Sequence, residues 1–162
     1  MLDATVAEIE AHVGASGWDG PPALFALVHA GRFSADEPET ARRLGIDTLD
    51  PEALTPIEQD DLPEGPLDEM LAGIAWPGSV AGCVVSQEIV VLPPDAEAGL
   101  SEDEIAARAA EHPERREARL VVGVLRGGAS ASVLRMRGAD EDQLLMGDLA
   151  PNLVEALLAT LT

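Results

Sequence analysis

Residues 117–137, EARLVVGVLRGGASASVLRMR, predict a β-hairpin, and two registers are open to it. A two-residue turn would pair Leu120 with Arg135, which brings charge onto the core face. A three-residue loop ending at Gly128 instead pairs Leu120 with Leu134. Gly128 would then supply the positive φ that a bulged turn needs, so we favour the three-residue loop.

The favoured register places like charges opposite each other on the outer face of the hairpin. Arg119 lies opposite Arg135, while Glu117 lies opposite Arg137. Facing arginines are unfavourable unless an anion neutralises them. The neutralising group could come from the acidic residues 47–69, from a second subunit, or from a small anionic ligand held by the guanidinium groups.

An apolar strip beside these arginines predicts a surface for self-association. Val121, Leu125 and Val133 share the outer face of the hairpin in the favoured register. Apolar residues next to arginines are typical of protein interfaces. We therefore expect this face to be exposed, and we expect the substitution Val133→Asp to dissociate a homodimer.

Hydrophobic periodicity and breaker residues predict the elements around the hairpin. Gly45 is expected to end the second helix in a left-handed cap, with Ala41 and Leu44 facing inward. Ser101 and Glu104 form a capping box that begins a later helix. In order, the predicted elements are a helix at 2–13, a strand at 23–28, a helix at 38–44, a short helix at 67–74, a strand at 80–92, a helix at about 101–111, the hairpin, and a last helix from about 148.

Residues 47–69 differ in character from the rest of the chain, since they hold nine acids, four prolines and no base. Prolines at this density exclude a long regular element, so we expect a long acidic loop. Its densest carboxylates are Glu58, Asp60, Asp61 and Glu64. They could form a solvated surface, dock onto a basic partner, or bind a hard cation, although their spacing does not fit an EF-hand.

These elements predict an α+β fold. The hairpin is antiparallel, which favours an antiparallel sheet of four to five strands with helices packed mainly on one face. The length of 162 residues is typical of one domain, so we expect residues 1–162 to form a single domain.

The charge of the chain excludes some partners. Thirty Asp and Glu stand against ten basic residues, all of them arginine, for a net charge of −20. Such a charge disfavours nucleic acid as a partner. No apolar run is long enough for a membrane span and no signal peptide is recognised, so we expect a cytoplasmic protein without membrane contact. The absent lysine indicates a GC-rich genome more than adaptation to salt.

The titratable residues do not form a recognised catalytic or metal motif. Cys83 is the single cysteine and is expected to be a buried thiol, which excludes an internal disulfide. His12, His29 and His112 lack the spacing of a zinc pair. We predict neither a metal nor a cofactor.

Several segments resemble an uncharacterised family of conserved actinobacterial proteins. That resemblance implies a bacterial source and a cytoplasmic, intact single domain, and it supports genome composition as the cause of the missing lysine. It assigns no functional residue. The segments are GWDGPP (17–22), LTPIEQDDLP (54–63), LAGIAWP (71–77), VAGCVVSQEIVVLPP (80–94), HPERREARL (112–120) and the last helix.

We therefore predict a non-catalytic binding protein whose partner is another protein or a second copy of the chain. The alternative is a small-molecule enzyme or an anionic-ligand-binding domain, with its site between the sheet and the acidic loop. His29, Arg119, Arg135 and Arg137 are the candidate ligand-binding residues for that alternative.

Overall fold

The computed structural model describes residues 2–59, 66–91, 116–137, 144–147 and 149–162. These residues form five α-helices, one short 3-10 helix and six β-strands. In chain order the elements are α1 (Leu2–Gly14), β1 (Ala23–His29), α2 (Ala30–Asp36), α3 (Pro38–Leu44), the 3-10 helix (Ile46–Thr48), β2 (Leu54–Glu58), α4 (Leu67–Ala72), β3 (Gly82–Val91), β4 (Arg116–Leu125), β5 (Ser130–Met136), β6 (Leu144–Gly147) and α5 (Pro151–Ala159).

All six strands form one antiparallel sheet with the order β2-β1-β3-β4-β5-β6. The predicted α+β class is confirmed, and the sheet has six described strands where four to five were expected. Strand β2 was not predicted because Pro56 lies inside it. A proline is tolerated at an edge, where its missing N–H need not bond a further strand.

The hairpin adopts the favoured register. Leu120 pairs with Leu134, and Arg119 lies opposite Arg135. The loop contains two glycines with positive φ, of 114° at Gly127 and 99° at Gly128. Side chains of β4 therefore alternate between the two faces of the sheet as the hydrophobic pattern predicts.

Helices cover both faces of the sheet, although four of the five described α-helices pack on the same one. On that face the core includes residues from α2, α3, α4 and α5, together with Val85, Val122 and Val124 from the strands. On the opposite face α1 packs alone, with Val6 and Ile9 against the sheet. Helices thus lie mainly on one face, as predicted.

The predicted self-association surface is wrong, because α1 covers it. Val121 and Val133 are fully buried, and Leu125 is partly buried in the same cluster. The close approach of the helix depends on Gly123, where an added Cβ would lie 2.7 Å from Cγ2 of Val6. The apolar strip is therefore part of the core and not an interface.

Around residues 30–45 the structure agrees with the predictions only in part. The sequence argument missed the seven-residue helix α2, which follows β1 without a loop. Gly45 does end α3 in the left-handed conformation, with a φ of 75°. Ala41 is buried as expected, but Leu44 is 47% exposed and does not face the core.

Some predictions lie outside the described residues. The helix predicted from Ser101 and residues 60–65 of the acidic loop belong to this group. In the described part of the chain, no helix has the length and apolar character needed to cross a bilayer.

Candidate functional site

The three candidate arginines of the hairpin lie in one cluster with acids of α1 and of the loop after it. Glu10 is 1% exposed and Arg119 is 2% exposed. Nη1 of Arg119 lies 3.4 Å from Oε1 of Glu10, and Nε of Arg135 donates a hydrogen bond to the same oxygen. One buried carboxylate therefore holds both of the facing guanidinium groups.

The position of Glu10 follows from the periodicity of α1. Glu10 lies four residues after Val6 and next to Ile9, so it belongs to the stripe that faces the sheet. The opposed arginines supply the counter-charge that makes such a burial tolerable. The acid that bridges this pair comes from α1, whereas residues 47–69 were one of the sources expected from sequence.

The loop of residues 15–22, which joins α1 to β1, covers the arginines from the other side. Nη2 of Arg119 donates to the carbonyl oxygen of Gly17 at 2.9 Å. The Trp18 ring centroid lies 4.4 Å from Cζ of Arg119 and 5.4 Å from Cζ of Arg137. Guanidinium groups at such distances are attracted to the face of an indole ring, so Trp18 contributes to holding the loop.

Asp19 joins the 15–22 loop to the third arginine. Its carboxylate accepts hydrogen bonds from Nη1 and Nη2 of Arg137 at 2.8 and 3.1 Å. Nη1 of Arg137 also lies 2.5 Å from Oε2 of Glu117. Hydrogen bonding to Arg137 lowers the pKa of the Asp19 carboxyl group below its ordinary value. Bonds to Asp19 and Glu117 in turn raise the pKa of Arg137.

The backbone of the 15–22 loop is fixed by Glu88 of β3. The amide groups of Asp19 and Gly20 each donate to one carboxylate oxygen of Glu88, both at 2.9 Å. Asp19 has a φ of 67°, a left-handed conformation that Asp adopts more readily than most residues. A carboxylate receiving two amide groups is a well-satisfied acceptor, and the loop is thereby tied to the sheet.

His29, the fourth candidate residue, does not join this cluster. It ends β1 on the side where Leu27 pairs with Gly82, whereas Arg119 lies opposite Glu88 near the other end of β3. His29 lines a separate depression of about 230 Å³ with Arg32 and Arg126. The structure therefore brings together Arg119, Arg135 and Arg137 but leaves His29 apart from them.

Cys83 is a buried thiol, as predicted. Its sulfur lies 3.6 Å from Oγ1 of Thr160 and 3.8 Å from the carbonyl oxygen of Leu157. Burial raises the pKa of the thiol, so the thiolate needed for nucleophilic chemistry is disfavoured. Within the described ranges, no group of three or more His, Cys, Asp or Glu side chains is arranged to hold a metal ion.

The two edges of the sheet have different chemistry. At one edge, β2 contains Pro56 and Glu58, which are features that discourage pairing with another strand. At the other edge, β6 has the sequence LLMG, without proline or charge. Leu145 is 48% exposed, Met146 is 55% exposed, and nearby Leu149 is 40% exposed. An apolar edge of this kind is a template for strand addition.

Four residues that organise the arginine cluster were not predicted from the sequence: Glu10, Trp18, Asp19 and Glu88. Glu10 had a usable signal, because a carboxylate on the apolar stripe of an amphipathic helix indicates a buried partner. The other three had none, since their roles depend on how the 15–22 loop folds back over β3 and β4. The four-residue strand β6 was too short for its alternation to be recognised.

The fold and these surfaces define an α+β protein with a six-stranded antiparallel sheet between a single helix and a layer of four described helices. The chain belongs to the PPA1309-like protein family, whose model matches residues 2–162. This uncharacterised family is named after a Propionibacterium protein, which confirms the family predicted from the sequence. Neither a curated protein nor a solved structure matches the chain.

Proposed function

We propose that the protein is a non-catalytic binding protein that receives an extended segment of a partner protein along the edge of β6. The exposed apolar edge is the observation that carries this proposal. Within the described residues, β6 pairs only with β5, so one side of its backbone is available to another strand. An added strand would bond this backbone, and its side chains would contact Leu145 and Met146.

The charge around β6 indicates the chemistry of the partner. The strand is preceded in sequence by Asp140, Glu141 and Asp142, and it is followed by Asp148. A second copy of the chain would carry the same acidic charge, which opposes self-association. A partner segment with an apolar centre and basic flanks complements both the strand and its acidic neighbours. The net charge of −20 also favours a basic partner, and it disfavours nucleic acid.

The alternative of an anionic ligand held by the arginines has less support. Arg119 and Arg135 share Glu10, while Arg137 bonds Asp19 and Glu117. An incoming phosphate or carboxylate would have to compete with acids that the fold already presents to these guanidinium groups. Saturable thermal stabilisation by such anions, abolished in an Arg135→Ala variant, would favour this alternative instead.

Fluorescence anisotropy with designed peptides tests the proposal. The probe is a labelled peptide with a Val-Thr-Val-Thr-Val centre and two lysines at each end. We expect saturable binding that is about tenfold tighter than binding of the same centre flanked by glutamates. Replacing the central Val by Pro should abolish binding, because proline removes a backbone donor.

A matched pair of variants localises the binding to β6. Met146→Lys places a positive charge on the edge and should weaken binding of the basic peptide by about tenfold. Leu49→Lys makes the same change in charge at a residue that is 44% exposed and remote from β6 in sequence, and it should have no effect. Equal loss in both variants, or no binding by the wild type, contradicts the proposal. A dimer in light scattering that Met146→Lys dissociates would identify a second copy as the occupant.

Cytoplasmic location is part of the same proposal. It rests on the sequence, whose single cysteine provides no disulfide framework of the kind that is common in oxidising compartments.

A further inference from the structure

A groove between α1 and β2, at the opposite edge of the sheet from β6, is a second candidate site. It consists of two adjoining depressions, of about 510 Å³ and about 320 Å³, that share His12 and Glu58 as lining residues. The larger depression is within the range of small-molecule sites. We call the two depressions together the α1–β2 groove.

The larger depression is lined by a serine whose hydroxyl group has no hydrogen-bond partner among the described residues. Ser86 of β3 is 2% exposed and lines this depression. Among the residues that the structure describes, none forms a hydrogen bond with the Ser86 hydroxyl group. A hydroxyl group at the wall of a depression can donate a hydrogen bond to a ligand group or accept one from it.

The charged residues along the groove favour a cation. Glu8 lines the smaller depression and Glu58 lines both, and neither forms an ion pair with any residue in the described part of the chain. Arg119 is the one guanidinium group among the described lining residues. Its charge is opposed by Glu10 at 3.4 Å and by Glu88 at the facing position of β3.

Apolar surface separates these polar groups. The smaller depression is lined by Ile9, Phe25 and Pro56, and the larger one by Val13 and Pro21. A ligand in the groove therefore meets carboxylates, a hydroxyl group and apolar side chains. Methylene segments suit the apolar contacts, whereas ammonium groups suit the carboxylates.

We infer that the α1–β2 groove binds a linear aliphatic di- or polyamine. One ammonium group donates to the Glu58 carboxylate, and the amine at the buried end donates to the Ser86 hydroxyl group. The methylene chain lies against Phe25 and Ile9. A small amine fits better than a peptide, because Pro56 removes a backbone donor that an added strand would need at the edge of β2.

Isothermal titration calorimetry with spermidine tests this inference, in about 0.15 M salt so that long-range attraction to the acidic surface is screened. We expect saturable binding of one spermidine per chain. Glu58→Gln should weaken it by about tenfold or more, because a charge-assisted hydrogen bond is lost. Ser86→Ala should weaken it less.

The matched control is Glu155→Gln, which removes the same charge from an exposed position on α5, across the sheet from the groove. Its affinity for spermidine should equal that of the wild type. Equal weakening by Glu58→Gln and Glu155→Gln would show that spermidine responds to overall charge and would overturn the inference. Absence of saturable heat with wild type would do the same.

Competing ligands separate a small amine from other cations. Butylamine, with one ammonium group, should bind more weakly than spermidine, and magnesium chloride should not displace spermidine at equal ionic strength. A lysine-rich peptide that binds more tightly than spermidine and depends on Glu58 would overturn the assignment to a small amine. Met146→Lys should leave spermidine binding unchanged. The proposal for the groove and the proposal for the β6 edge can therefore be contradicted independently.

Discussion

The two faces of the sheet are covered by different sets of elements. One face is covered by four described helices, and its described buried residues are uncharged, with Cys83, Ser132 and Thr160 as the polar ones. The other face is covered by α1 alone, and its apolar cluster adjoins the ion cluster of Glu10, Arg119 and Arg135. The buried charges therefore lie near the end of α1, where the helix ceases to cover the sheet.

Element lengths explain where the charges lie. A helix of 13 residues spans about 20 Å, whereas a strand of ten residues spans about 33 Å. The single helix cannot cover the whole length of β3 and β4. The 15–22 loop covers the remainder, and it is held by Arg119, Glu88 and Arg137. A loop has few apolar side chains to bury, so hydrogen bonds and ion pairs take that role.

The largest expected effect comes from removing the shared carboxylate. Glu10→Gln removes the carboxylate charge that Arg119 and Arg135 share, and breaking a buried ion pair costs about 3–5 kcal/mol. Urea unfolding should show this loss as a lower midpoint with an unchanged slope. Glu8→Gln, on the exposed side of the same helix, is the control and should change stability little. Similar midpoints for both variants would mean that the ion cluster does not stabilise the α1 face.

We expect an equal or smaller loss of folding stability from a substitution on the face that the four helices cover. Leu157 of α5 is fully buried, so Leu157→Ala should cost about 2–5 kcal/mol through lost burial and a residual cavity. Leu149→Ala makes the same substitution at a residue that is 40% exposed, and it should cost much less. Equal losses in Leu157→Ala and Leu149→Ala would mean that burial of Leu157 does not stabilise this face.

The smallest effect is expected at the exposed end of the ion network. Asp19→Asn keeps a residue type that tolerates positive φ but removes the charge bonded to Arg137. The pKa of Asp19 is lowered in the folded state from 3.8, so its contribution is present above pH 3.8 and is lost as the pH falls below that value. The unfolding midpoints of wild type and variant should therefore differ slightly near neutral pH and converge in acid. A constant difference would assign the effect to backbone strain.

Local patterns predicted much of the fold because each signal was contained within a few neighbouring residues. The hairpin register followed from keeping Arg135 off the core face, and Gly45 and Gly128 marked their turns through positive φ. The edge strand β2 was not predictable in the same way. Pro56 contradicts a strand unless the segment is known to lie at an edge, and edge position is a property of the whole sheet.

The candidate site was partly predictable for the same reason. Sequence alone identified the opposed pair Arg119 and Arg135 and the need for a neutralising acid. It did not identify Glu10, which lies 109 residues from Arg119 along the chain. The sequence-based prediction also placed His29 with the arginines. His29 and the arginines lie near the ends of different strands, and the sequence does not show which of these ends meet in the sheet.

The amino-acid sequence by itself determined the α+β class, the hairpin register, the net charge of −20 and the family. These depend on periodicity, turn chemistry, composition and similarity, which are all read along the chain. Only the tertiary structure decided that α1 covers the outer face of the hairpin, that Glu10 bridges the arginines, and that β6 leaves an apolar edge exposed. Such features depend on which surfaces meet when distant segments pack, and burial is a property of that packing.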